Sequence, residues 1–119
     1  MRRVLDHGSS ILAQTNDAGT GAVVLYTVPT GRRAIISQII VANSTAGAAA
    51  ASVFAHATGT TRTAATALMY GKSIAPNTSD LSLLFDDGLE IAAGGSIGTQ
   101  SGTGSALTFT LLGRLLDVL

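Results

Sequence analysis

Two apolar runs on either side of a tight turn give the strongest pattern in the chain, over residues 23–43 (VVLYTVPTGRRAIISQIIVAN). Proline is favoured at the second position of a type I turn and glycine at the fourth, so residues 28–31 (VPTG) are the predicted turn. The flanking runs are rich in valine, isoleucine, threonine and tyrosine, which suit a pleated strand. The stretch therefore predicts two strands that are joined as a β-hairpin or as a tight strand-to-strand corner.

The second of these runs is apolar on both faces of the predicted strand. One face carries Ile35, Ser37, Ile39 and Val41, and the other carries Ala34, Ile36, Gln38, Ile40 and Ala42. An antiparallel sheet commonly presents one of its faces to water. The pattern therefore predicts either a bulge that exchanges the two faces, or an outer face that another molecule covers, such as a second subunit.

Clusters of glycine, proline, asparagine and serine divide the rest of the chain into short apolar segments. Strands are predicted at residues 9–14, 48–57, 67–72, 81–85, 89–91, 96–100 and 107–111. The alanine-rich segment 48–57 also has helical propensity, but Val53 and Phe54 favour a strand. Residues 86–88 (DDG) predict a hairpin turn between two strands. The cleanest alternation is Leu107, Phe109 and Leu111 with threonine between them.

These segments predict an all-β fold, a single antiparallel β-sandwich or jelly roll of about eight strands with an extended N-terminal arm. Residues 1–22 are expected to form the arm with a first strand and loop, residues 23–114 the sandwich, and residues 115–119 an apolar C-terminal tail. A chain of 119 residues fits one domain.

Composition narrows the classes of function. The absence of cysteine excludes disulfides and thiol chemistry. Seven basic and seven acidic residues leave no net charge, so a nucleic-acid partner is not expected. Charged residues make up 12% of the chain and hydrophobic residues 46%, which favours a surface that faces other protein. The apolar runs are too short to predict a membrane span.

The residue types that carry chemistry do not form a recognisable catalytic or metal-binding pattern. His7 and His56 lack neighbouring ligands at metal-binding spacing, and Asp86 and Asp87 are adjacent in a predicted turn. No catalytic residue, metal or cofactor is therefore predicted, and the protein is not expected to be an enzyme. Asn43 and Asn77 match the glycosylation acceptor but suit turn positions better.

Both ends of the chain and the doubly apolar strand are candidate contact regions. Self-association is predicted for Ile36, Gln38, Ile40, Ala48 and Ala50. Contact with a partner protein is predicted for Arg2, Arg3, Val4, Leu5, Ile11, Leu12, Leu115, Leu116, Val118 and Leu119. The alternative for the N-terminal segment is that it supplies an edge strand to its own sandwich. Arg32 and Arg33 are predicted to lie at a solvated turn or in a salt bridge between subunits, or to bind an anionic partner.

Four segments in a fixed order resemble a pattern in small virion proteins of tailed bacteriophages. They are YTVPTGRRAII, VANSTAG, SIAPNTSDLSL and GLEIAAGGSI, followed by a strand before Gly113. The resemblance covers roughly residues 23–113, and it departs at Gly95 and Ser96, where an aspartate is common in the family.

This resemblance implies a β-sandwich that serves as a capsid decoration (cement) protein, binding the outer capsid and stabilising it. The implied partner is the major capsid protein or another virion protein, and the implied oligomer is a homotrimer. The implied location is the surface of the virion, after synthesis in the host cytoplasm. The alternative is a tail, baseplate or head-fibre accessory protein with receptor-binding or glycan-binding loops. The family offers no catalytic residues to compare.

Overall fold

The computed structural model describes residues 10–57 and 64–117, which form two four-stranded antiparallel sheets. The strands are β1 (Ser10–Asn16), β2 (Val23–Thr27), β3 (Arg32–Asn43), β4 (Ala49–His56), β5 (Ala67–Ile74), β6 (Thr78–Ala92), β7 (Ser96–Ser101) and β8 (Leu107–Asp117). Within these ranges the single helical element is a short 3-10 turn, Ala64–Thr66.

The strand order is that of a jelly roll. Sheet A has the order β1-β8-β3-β6, and sheet B has the order β2-β7-β4-β5. Successive strands mostly alternate between the sheets, and among the described strands only β4 and β5 are neighbours both in sequence and in a sheet. The predicted all-β sandwich or jelly roll is confirmed.

Residues 28–31 form a corner between the sheets and not a hairpin, because β2 pairs with β7 whereas β3 pairs with β6 and β8. Gly31 has φ 79°, a conformation that glycine adopts readily. Val28 is buried, and its N–H donates to Gly95 O at 2.9 Å. Its carbonyl accepts from Gly94 N at 3.1 Å. The corner is thereby tied to the turn that joins β6 to β7.

β3 exchanges its two faces halfway along its length. Ala34 and Ile36 are buried in its first half, and Ile39 and Val41 are buried in its second half. An uninterrupted strand would place these two pairs on opposite faces of the sheet. Both halves instead face the core, so the predicted bulge is confirmed as the explanation of the doubly apolar pattern.

Ser37 is the extra residue at this bulge. β8 passes directly from Gly113 to Leu112 where β3 passes from Ile36 to Gln38. The Ser37 hydroxyl donates to Leu112 O at 3.1 Å, which holds the bulged strand against its neighbour. Bulges of this kind are built into a sheet to re-aim side chains.

The prediction of a hairpin turn at residues 86–88 is wrong. β6 continues through these residues and pairs with β3 both before and after them. Leu84 and Leu89 pair with the residues that flank Ser37, so the four residues 85–88 of β6 lie opposite that single residue as a large bulge. Gly88 has φ 83° there. A glycine with a positive φ suits a bulge as well as a hairpin turn, so the sequence of residues 86–88 fits both structures.

Asn43 ends β3 and organises the turn after it. Its side-chain nitrogen donates to Gly47 O at 2.9 Å and to Ile74 O at 3.1 Å. Its side-chain oxygen accepts from Thr45 N at 3.0 Å and from the Thr45 hydroxyl at 2.7 Å. The nitrogen that a glycan would modify is thus engaged inside the sandwich, which favours the turn role of this residue.

Candidate binding surfaces

A line of side chains crosses the outer face of sheet A from one edge to the other. Strand register places Ile11 beside Leu112, Leu112 beside Gln38, and Gln38 beside Leu84. We call these four residues the transverse row. Ile11 is 60% exposed and Leu84 62% exposed, although both are large and aliphatic. Their sequence neighbours Leu12 and Leu83 pack against the core, so the row points away from it.

Charged pairs lie at one end of sheet A, away from the transverse row. Arg32 Nε lies 2.8 Å from Asp117 Oδ1, and Arg33 Nη1 lies 2.6 Å from Glu90 Oε2. All four side chains are about half exposed, so each pair contributes at most about 1 kcal/mol to stability. The two arginines therefore form salt bridges across strands of their own sheet. The salt bridge to another subunit, one of the roles predicted for them, stays a prediction.

The predicted partner-contact residues separate into three groups. Ile11 and Leu116 are accessible on sheet A, the first exposed and the second half-buried. Leu12 and Leu115 are half-buried and pack against the core of their own sandwich. Six residues lie outside the described residues: Arg2, Arg3, Val4, Leu5, Val118 and Leu119.

The described part of the N-terminal segment follows the alternative prediction. β1 is an edge strand that pairs with β8 along its length, from Ser10 opposite Gly113 to Asn16 opposite Thr108. At the other terminus β8 continues to Asp117, so residues 115–117 belong to the strand.

The residues predicted for self-association do not share one surface. Gln38 and Ile40 are half-buried on the outer side of sheet A. Ile36 is completely buried between the sheets, because the bulge directs it inward, and it is not available to a second copy. Ala48 and Ala50 are exposed, and Ala50 lies in sheet B.

His56 and Asp17 are buried side chains of types that occur in catalytic and metal sites. His56 Nδ1 lies 3.2 Å from Ser96 Oγ, and its Nε2 has no hydrogen-bond partner among the described residues. Asp17 is buried in a loop, where one carboxylate oxygen accepts from Gly19 N at 3.1 Å. The described residues contain no group of three or more His, Cys, Asp or Glu that could hold a metal ion. His7 lies outside them.

The architecture defines the class of this protein as a jelly roll, a fold found in viral capsid and lectin domains among others. Comparison with protein-family models, with curated proteins and with solved structures found no match. Across residues 10–57 and 64–117, no helix has the length and apolar character needed to cross a membrane. A fold of this kind hosts many unrelated functions, so function has to be argued from the surfaces.

Proposed function

We propose that this chain is a non-enzymatic structural protein of a tailed-bacteriophage particle. Its role is that of a decoration protein that binds the outer capsid, through the major capsid protein or another virion protein, and stabilises it. The order of the four sequence segments that resemble small phage virion proteins supports this proposal. The use of jelly rolls in viral capsids supports it by analogy of fold.

The transverse row is the observation that carries the proposal. Ile11, Leu112 and Leu84 cross sheet A, and Gln38 is the one polar side chain among them. Covering such side chains with a neighbouring protein stabilises the complex by roughly 25 cal/mol per Å² of apolar surface removed from water. The centre of a protein interface is depleted in charge, as this row is. Many copies on a regular capsid would add avidity to a modest single contact.

The test uses purified particles that lack this protein. The full chain should bind them, and the double variant Ile11→Thr/Leu84→Thr should bind at least about tenfold more weakly, because aliphatic contact surface is lost. Threonine keeps the strand propensity of the row. Val24→Thr is the matched control, since Val24 is also exposed but lies on sheet B.

Equal binding by the double variant and the full chain would exclude the transverse row as the contact. Imaging of labelled protein on intact particles distinguishes the capsid from the tail, and a tail or baseplate position would favour the accessory-protein alternative. A chain that binds no part of the particle would overturn the proposal as a whole.

Self-association is part of the same proposal, as the trimer that the resemblance implies. The zero net charge and low charge content of the chain support association. Light scattering at micromolar concentration should give three times the 11.9 kDa mass of one chain. A scattering mass equal to that of one chain over this concentration range would contradict the trimer.

A further inference from the structure

The outer face of sheet B contains a small open cleft on the side of the sandwich opposite the transverse row. Its volume is about 200 Å³. It is lined by Ala50, Ser52, Tyr70, Gly71, Gln100 and Gly102. None of these side chains is charged, so the cleft does not select an ionic ligand.

A bulge at the edge of the sheet builds one wall of the cleft. Between the paired residues Met69 and Lys72 of β5, Tyr70 and Gly71 lie opposite the single residue Ser52 of β4. Gly71 has φ 65°, and its N–H donates to Ser52 Oγ at 2.9 Å. A bulge closed in this way sets the direction of the adjacent side chain, which here is the Tyr70 ring.

The Tyr70 ring is supported from the sheet and open on its outer side. It is 65% exposed, whereas Phe54 beside it is 1% exposed. The two ring centroids are 6.3 Å apart and the ring planes meet at 74°, an edge-to-face contact. Such contacts fix the orientation of an aromatic ring. The sheet therefore presents a positioned tyrosine whose ring remains accessible to a ligand.

The bottom of the cleft is formed by the small residues Ala50 and Gly102, which leave space above the sheet. Gly102 N donates to Ala50 O at 2.8 Å, and a Cβ at position 102 would lie 3.2 Å from the Ala50 Cβ. On the far side, Gln100 Nε2 donates to Thr20 O at 3.1 Å, which orients its amide. A ligand on this floor would have the ring on one side and amide and hydroxyl groups within reach.

We propose that the cleft binds one neutral pyranose unit of a glycan. The C–H face of a pyranose is apolar and matches an accessible aromatic ring, while its hydroxyls suit the Ser52 hydroxyl and the Gln100 amide. Sites for small molecules commonly combine apolar contact with a few oriented polar groups, and this cleft, which is smaller than most of them, has room for one sugar ring. The proposal is independent of capsid binding, because the two surfaces lie on different sheets.

The test is saturation-transfer NMR on the full chain with separate neutral sugars: glucose, galactose, mannose, N-acetylglucosamine and N-acetylgalactosamine. At least one sugar should receive transfer and should shift the amide resonances of Gly71 and Gly102. Tyr70→Ala should weaken its binding at least about tenfold, because the stacking surface is removed. Tyr70→Phe should bind within about threefold of the full chain, because the ring is retained.

Leu84→Thr is the control on the opposite sheet and should leave sugar binding unchanged. No transfer to any of the sugars would overturn the proposal, as would equal binding by Tyr70→Ala and the full chain. Shifts at Gly71 and Gly102 with a proline-rich peptide but with no sugar would also overturn it and assign the cleft to peptide. In the particle assay Tyr70→Ala should bind like the full chain, so the two proposals fail separately.

Discussion

Asn43 shows how much of this fold depends on single polar side chains. It is 2% exposed, and its amide joins the end of β3 to Gly47 and to Ile74 at the end of β5. Asparagine is common in turns because its side chain can replace a backbone hydrogen-bonding group. The sequence predicted this turn role, but it gave no indication that Ile74 would be a partner.

Replacing Asn43 with alanine should lower the free energy of unfolding by about 2 kcal/mol or more, because the buried carbonyl of Ile74 and the turn carbonyl of Gly47 both lose their donor. Urea denaturation followed by circular dichroism measures the change. Asn16→Ala is the matched control, since its amide bonds to Ser105 O and Thr108 Oγ1 at an exposed site. The control variant should lower the free energy of unfolding by about 0.5 kcal/mol or less. Equal losses in both variants would contradict the structural role of Asn43.

Tyr26 makes the free energy of unfolding depend on pH in the alkaline range. Burial raises the pKa of its phenol above the ordinary value of 10.0, and the nearby positive charge of Arg32 lowers this pKa to a smaller extent. The folded protein therefore keeps the phenolic proton to a higher pH than the unfolded chain does. The contribution of Tyr26 to the free energy of unfolding is complete below pH 10.0 and is lost as the pH rises towards the folded-state pKa.

The Tyr26→Phe variant should lose less stability than the parent chain between pH 9 and 11, as measured by urea denaturation at a series of pH values. The Tyr70→Phe variant leaves Tyr26 as the remaining tyrosine, so ultraviolet titration can follow its ionisation alone. A midpoint at or below 10.0 in that titration would contradict the burial effect.

At the scale of elements, strands were predictable where one face alternates without interruption. Leu107, Phe109 and Leu111 are all buried, as their spacing predicted. The pattern of β3 predicted a bulge or a cover but could not choose between them, since both explain apolar residues on two faces. Residues 86–88 were misassigned because turn chemistry is local, whereas the pairing of β6 on both sides of them depends on the distant strand β3.

Gly113 is required by the bulge in β3. A Cβ at this position would clash with Ile35 O, a backbone atom that cannot rotate away. Gly113→Ala should therefore lower the free energy of unfolding by about 1–3 kcal/mol, measured by urea denaturation. Gly47→Ala is the control, because a Cβ there would have no neighbour within 4 Å. A loss no larger than that of the control would show that the bulge can move aside.

At the scale of the whole molecule, both candidate surfaces are products of strand register. The transverse row runs from Ile11 to Leu84 across four strands, and the cleft brings Ala50 together with Gly102. Residues this far apart carry no mutual signal in one sequence. Composition predicted a surface that faces protein, but only the order of strands in each sheet places particular side chains together.

The strand bounds redefine how the chain ends should be tested. β1 begins at Ser10 and β8 ends at Asp117, so removal of residues 1–9 or of residues 118–119 leaves every described strand intact. Both truncated chains should keep the circular dichroism spectrum of the full chain. If the ends contact the capsid, at least one truncation should weaken binding to particles that lack the protein. Unchanged binding by both chains would exclude the ends from anchoring.

The pairing of β1 with β8 also determines when the protein can finish folding. β1 takes its place only after β8 has left the ribosome, whereas β4 and β5 are neighbours in the chain and can pair early. Pairing β1 with β8 closes a much longer segment of chain than pairing β4 with β5 does, so it costs more conformational entropy. Sheets in which most strand pairs are distant in sequence fold in about milliseconds to seconds. Pulsed hydrogen exchange during refolding should protect the amides of β4 and β5 first and those of β1 last. Until then the edge of β8 stays open, and a newly made chain can be captured there by another chain before its own N-terminal strand arrives.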